Sequence, residues 1–220
     1  MRLKAIVLFV VVLTTLLFFF IYTPTLQAVF NPDVIPEWHK EAARLEKIGK
    51  TEEAKKVYIQ ALKSLSEAKN HEGYVAALFK LATLYKNNRE FQLSQSSIGS
   101  ADSLYSNWKL NSPLLLGDIK HLQGTLKIIF NENFAAINLL KKSLEIKRTV
   151  LADNDTSLSV TYNNLGMAYS NMERFTESIQ NLNLAINSLA AKKENKTALL
   201  AKYHENLGIT FARMGDYSKA

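Results

Sequence analysis

The 220-residue chain has no cysteine, and it is poor in proline and glycine, with four and eight residues. Without cysteine there is no disulfide framework, no zinc site of any Cys class, no thiol chemistry and no bacterial lipoprotein anchor. So few turn formers disfavour an all-β protein built from many short strands. Histidine is rare too. His39, His71, His121 and His204 lie far apart, none has a histidine partner four residues away, and His71-Glu72 lacks the second His of a zinc-protease motif. No glycine-rich phosphate loop, G-x-S-x-G elbow or clustered carboxylate pair occurs. These absences leave no catalytic residue, metal ligand or cofactor site to nominate, and the expectation is a protein that is not an enzyme. What is present is ordinary for a folded chain: 47% hydrophobic and 21% charged residues, at a length suited to one domain.

The first conspicuous feature is an apolar run from Ala5 to Tyr22, preceded by Arg2 and Lys4 and softened only by Thr14 and Thr15. As a helix, eighteen residues span roughly 27 Å, close to the bilayer hydrocarbon core of about 30 Å. Fourteen of them are Leu, Ile, Val or Phe. Each favours insertion by roughly 0.3–0.6 kcal/mol when central. The run is longer than a usual secretory h-region, and the best cleavage candidate, ending at Ala28, has Leu26 where a small residue is wanted. Residues 1–22 therefore read as a signal-anchor helix, with a cleaved signal peptide as the alternative, and residues 23–35 as a linker. Either way the basic tip stays in the cytoplasm and the remainder is exported. The expected location is membrane-anchored on the extracytoplasmic side, periplasmic in a bacterium, or secreted if the signal is cleaved.

From Pro36 to Ala220 the pattern is helical and repeats itself. The stripe Tyr162, Leu165, Tyr169, Met172 has the 3, 4, 3 spacing of one helix face. It returns as Leu207, Phe211, Met214, and occurs earlier as Ile119, Leu122, Leu126, Ile129, as Leu78, Leu81, Tyr85, and as Trp38, Leu45, Ile48. A second helix follows each stripe and opens on a small residue: Ala54, Ser94, Ala136, Ser178, Ala220. Ala42, Ala82, Gly166 and Gly208 sit inside the first helices, where small residues let two axes come close. Ala61, Ala101, Ser143 and Ala185 repeat the device for packing on the next hairpin. The third unit departs: Gln123 stands where Gly or Ala is expected, Gly124 comes one step late, and the turn Asn131-Glu132-Asn133 reads as one residue longer. The units span about 36–68, 75–108, 115–150, 159–192 and 201–220. The last stops at the start of its second helix, which reads as the N-terminal piece of a longer array. Trp38 reads as core of the first hairpin and Trp108 as packing at an inter-repeat junction.

These residues resemble the tetratricopeptide repeat (TPR). Trp38-x3-Ala42-x2-Leu45 with Gly49 and Ala54-x3-Tyr58-x2-Ala61 follows its pattern, as do Tyr162-x2-Leu165-Gly166-x2-Tyr169 with Phe175, Ser178, Leu182 and Ala185, and Leu207-Gly208-x2-Phe211. The 42-residue spacing and Tyr162-Asn163-Asn164-Leu165-Gly166 are similar to the kinesin-light-chain-type variant in the C-terminal half. The resemblance implies an all-α solenoid of antiparallel helix hairpins in a right-handed superhelix, preceded here by the N-terminal hydrophobic helix. It also implies a concave groove, lined by the first helix of each hairpin, that holds a peptide segment of a partner protein.

The residue before each stripe leucine reads Lys40, Lys80, His121, Asn164, Asn206, and all five can hydrogen-bond a peptide backbone. The same residues could instead bond neighbouring helices. In the kinesin-light-chain-type repeat the matching Asn contacts peptide, which applies to Asn164 and Asn206. Lys120, Asn164 and Lys202 resemble part of the carboxylate clamp of some TPR domains, and Asn171 completes the candidate groove set. Replacing Asn164 and Asn206 together by alanine is expected to weaken binding while stability stays within about 1 kcal/mol.

The formal charge of +7 invites a nucleic-acid reading. Yet Lys and Arg are spread through every unit and interleaved with Glu and Asp, so no nucleic acid is expected. The predicted partners are a protein or peptide, the membrane through residues 5–22, and a second copy through the incomplete last repeat. The leading reading is an exported, anchored scaffold. The alternative is the extracytoplasmic sensory region of a longer signal-transduction protein.

Overall fold

The computed structural model describes residues 36–190 and 197–220. The expected N-terminal helix and the linker to residue 35 lie outside the described residues. Among the described residues no helix is long and apolar enough to cross a membrane. The secondary structure there is helical: α1 Glu37–Lys47, α2 Thr51–Glu67, α3 His71–Asn87, α4 Phe91–Asn107, α5 Pro113–Ile129, α6 Asn133–Lys147, α7 Thr156–Asn171, α8 Phe175–Ala190 and α9 Thr197–Met214. The first helices of the second to fifth hairpins thus begin two to four residues earlier than the apolar stripes suggest. Polar caps explain part of this. Asn70 Oδ1 accepts from Gly73 N at 2.9 Å, and Asp155 Oδ1 accepts from Ser157 N at 2.7 Å.

The chain divides into two units inside α2, after Tyr58. In the first, Ala42, Leu45, Ala54 and Tyr58 are buried. Tyr58 meets Trp38 edge-on at 6.0 Å and donates its hydroxyl to Glu46 at 2.8 Å. Trp38 is only partly buried.

The second unit, from Ile59, is a succession of hairpins with successive cores instead of one central core. Val75, Leu78, Ile98, Tyr105, Ile119 and Leu126 form one cluster across α3, α4 and α5. Ile137, Leu140, Leu144, Leu158, Leu165 and Tyr169 form the next across α6 and α7, and Ala185, Leu189 and Tyr203 the one joining α8 to α9. Helices α3–α4, α5–α6 and α7–α8 pack as hairpins, each second helix packs on the following first helix, and the first helices α3, α5, α7 and α9 also touch in sequence.

Two features of the third hairpin correct the sequence reading. Every hairpin turn is three residues long, Ile48–Lys50, Asn88–Glu90, Phe130–Glu132 and Met172–Arg174, so the third is not extended. Each turn has one left-handed residue: Gly49, Arg89, Asn131, Glu173, and then Gly215 after α9. The second correction concerns Gly124, which is in register. A Cβ there would lie 2.7 Å from Leu140 Cγ and 3.3 Å from the Ala136 carbonyl oxygen. At Gly166 it would lie 2.6 Å from Leu182 Cγ and 3.2 Å from the Ser178 oxygen. The close backbone approach therefore falls on Gly124, and Gln123 occupies the column of Leu81, Leu165 and Leu207. The apolar stripe misleads because Leu122, one position away, supplies the buried leucine in its place. Trp108 stacks on His71 at 4.1 Å and meets Tyr74 at 5.8 Å, both on the first helix of its own hairpin, and packs against the cluster that α3 and α4 share with α5 of the next hairpin.

Candidate functional site

A helix advances 100° per residue, so α5 shows two working faces. His121 and Thr125 share one; Lys120, Gln123 and Lys127 share another, roughly opposite.

The first face carries a polar ladder between first helices. Thr161 donates its hydroxyl to the Ser157 carbonyl at 2.8 Å, so its oxygen is left to accept from His121 Nδ1 at 2.9 Å. That fixes the Nδ1–H tautomer, and His121 Nε2 accepts from Asn164 Nδ2 at 3.4 Å. The same amide donates to Thr125 Oγ1 at 3.0 Å. Asn164 Oδ1 accepts from Asn163 at 3.3 Å, and Asn163 Oδ1 accepts from Asn206 Nδ2 at 2.8 Å. Further along, Asn171 Nδ2 donates to Asn133 Oδ1 at 3.1 Å and its Oδ1 accepts from Arg213 at 3.0 Å. Thus the amides of Asn164, Asn171 and Asn206 are engaged in joining helices.

Burial among these groups pushes the His121 imidazole down to about 3, helped by the positive charges of Lys147 and Lys86. Lys86 itself is held below the usual lysine value, first by burial and then by the charge of Lys202. Two ammonium groups from α3 and α9, the first helices of the second and fifth hairpins, therefore lie within reach of each other's field. Among the described residues no carboxylate forms an ion pair with either. Lys86 was absent from the sequence candidates, because it sits six residues beyond Lys80 on a position no repeat column marks.

The remaining candidates lie elsewhere. Lys40 pairs with Glu37 at 2.7 Å on an exposed surface. Lys80 lies over the Phe79 ring at 5.7 Å. Lys120 is on the opposite face of α5, with both Asp102 oxygens at 2.7 Å. The structure therefore bonds Asn164 to His121 and leaves Lys86 in the electrostatic reach of both His121 and Lys202, but turns Lys120 away from Asn164. No group of acidic, His or Cys side chains able to hold a metal occurs among the described residues.

Residues 157–220 match the tetratricopeptide repeat family. Over that stretch the chain carries tetratricopeptide repeats. Solved TPR folds of similar shape cover most of it. BtubC (BKLC) from P. vanneervenii superimposes with a TM-score of 0.70 at 19% identity, covering 81% of this chain and 72% of that one. The nearly identical TPR-like repeats of the kinesin-light-chain kind from Podosopora anserina give 0.65 at 17% identity, covering 83% and 87%. YrrB, a TPR protein with an unusual peptide-binding site, gives 0.52 at 18% identity, covering 83% and 78%. At such identities the likeness is one of fold. No curated protein matches the sequence.

Proposed function

We propose that this TPR protein is a scaffold that holds an acidic segment of a partner polypeptide on the first-helix face of its hairpins, bearing Lys86, His121, Asn164 and Lys202. The observation that carries the reading is the pair Lys86 and Lys202. Lys86 is partly buried and feels the positive charge of Lys202, and with no carboxylate paired to either among the described residues the two favour an anion between them. A carboxylate there would relieve their repulsion and remain partly desolvated, which strengthens the attraction. The hydrogen-bonded ladder beneath keeps the face rigid, so the ligand bears most of the ordering entropy. The peptide-binding site of YrrB lends support through the shared fold. Attachment to the membrane through residues 5–22, with the repeats on the extracytoplasmic side, completes the reading and rests on the apolar run Ala5–Tyr22.

The test uses the full chain in phospholipid nanodiscs and a fluorescent octaglutamate probe, with octalysine as control. Octaglutamate binding that weakens with salt, and falls about tenfold in Lys86→Gln/Lys202→Gln with no loss of thermal stability, is the expected result. Equal binding of both probes, or an unaffected double variant, would overturn it. Because the native chain has no cysteine, one introduced at exposed Lys109 reports the side of the membrane through an impermeant maleimide in intact cells.

A further inference from the structure

One side of α9 is left uncovered, and its charges form a pattern that is its own complement. The other side is spoken for by the fourth hairpin. Tyr203 is buried with Ala185 and Leu189, and Thr210 lies 3.1 Å from Ser178 and 3.3 Å from Ser170. Ile209, next to Thr210, is 50% exposed. The same position in the earlier first helices holds Thr83, Thr125 and Met167, all partly buried. Thr125 shows what covers that column, since it accepts from Asn164 of the following first helix. Among the described residues α9 has no such neighbour, and the most apolar of the four side chains is the one in solvent.

The flanking charges define what would fit over it. Glu205 stands four residues before Ile209 and Arg213 four residues after, both exposed and on the same stripe of the helix. Glu205 has no hydrogen bond or ion pair among the described residues. Arg213 donates through Nη1 to Asn171 at 3.0 Å, which leaves Nε and Nη2 for another acceptor. A second α9 laid parallel would set glutamate against glutamate and arginine against arginine. Laid antiparallel about Ile209, it brings residue 205 of each copy level with residue 213 of the other, and the two isoleucines meet on the axis. Opposite charges at equal steps on either side of an apolar centre suit a two-fold contact, in which one patch must serve both partners.

We propose that a second copy of this chain covers this face, α9 antiparallel to α9, with Ile209 on the two-fold axis and Glu205 of each copy paired with Arg213 of the other. A contact confined to one helix is small, so the dimer is weak and reversible. This inference does not rest on the acidic-segment reading.

Cross-linking of the full chain in phospholipid vesicles tests it. The native sequence has no cysteine, so Ile209→Cys places a single thiol on the axis. Oxidation is expected to yield a disulfide-linked dimer there, and none in Lys109→Cys, an exposed position elsewhere. Energy transfer between two dye-labelled pools of Lys109→Cys chains reads the charges. Glu205→Arg alone and Arg213→Glu alone each set like charges against each other and are expected to weaken dimerisation about tenfold. A one-to-one mixture of the two variants is expected to restore it. No cross-link at Ile209→Cys, equal cross-linking of both thiols, or energy transfer unchanged by the charge variants would overturn the proposal. Should Arg213→Glu, which also loses the bond to Asn171, fail to fold, the cross-link and Glu205→Arg decide. Neither readout uses octaglutamate, so failure of the dimer and failure of the acidic-segment reading are distinguishable.

Discussion

Asn164 joins α7 to α5 through one amide group, donating to Thr125 Oγ1 at 3.0 Å and to His121 Nε2 at 3.4 Å. Asn206 does the same for α9 and α7, through Asn163 at 2.8 Å. Of the two roles the sequence leaves open for these residues, contacting a peptide or bonding neighbouring helices, the second is in place here.

This changes what their removal should do. Asn164→Ala leaves the Thr125 hydroxyl with only its bond to the His121 carbonyl and strands the His121 ring nitrogen, and Asn206→Ala strands Asn163 Oδ1. Each loss costs on the order of 1 kcal/mol, so the double variant should be less stable by about 2 kcal/mol, beyond the 1 kcal/mol that the sequence reading allowed. Urea unfolding checks it, and an unchanged midpoint would refute the ladder.

His121 should make stability depend on pH. Its folded value is pushed down to about 3, against about 6.5 unfolded, so below pH 6.5 the unfolded chain binds the proton that the native ring refuses. Stability is therefore full above about pH 6.5 and falls as pH drops toward 3, by up to about 1.4 kcal/mol per unit. Between pH 7 and 5, before carboxylates titrate, unfolding midpoints should decline, and in His121→Gln that decline should be largely absent.

The glycines should separate by the space around them. At Gly124 and Gly166 an added methyl group would enter the carbonyl oxygens of α6 and α8, so Gly→Ala should destabilise by about 1–3 kcal/mol. At Gly99 nothing lies within 4 Å, and Gly99→Ala should stabilise by about 0.5–1 kcal/mol. Thermal melts of the three variants give opposite signs if the packing is as described.

Much of the fold was legible because repeat packing leaves a regular trace. Ala54, Ser94, Ala136 and Ser178 are fully buried, as their small size at a fixed interval implied. The Asn column was legible as polar and inward, but its partners were not, since a hydrogen bond across forty residues depends on which rotamer meets which neighbouring helix. Gln123 was misregistered for a related reason: periodicity marks where an apolar side chain falls, whereas the close approach of α5 and α6 is set by backbone geometry at Gly124.

The amino-acid order by itself determined hairpins of paired helices, their repeat interval and the three small-residue columns, since each follows from local periodicity. Only the tertiary structure decided how side chains on one helix are divided between neighbours. It buried Lys147 against Asp118 at 2.7 Å, over Gly117, where a Cβ would meet its Cγ at 2.7 Å. It turned Lys120 to Asp102, and it put Lys86 in the field of Lys202 from a helix more than a hundred residues away. Charges far apart in the chain interact through space, and that distance is fixed by packing angles that sequence spacing does not encode.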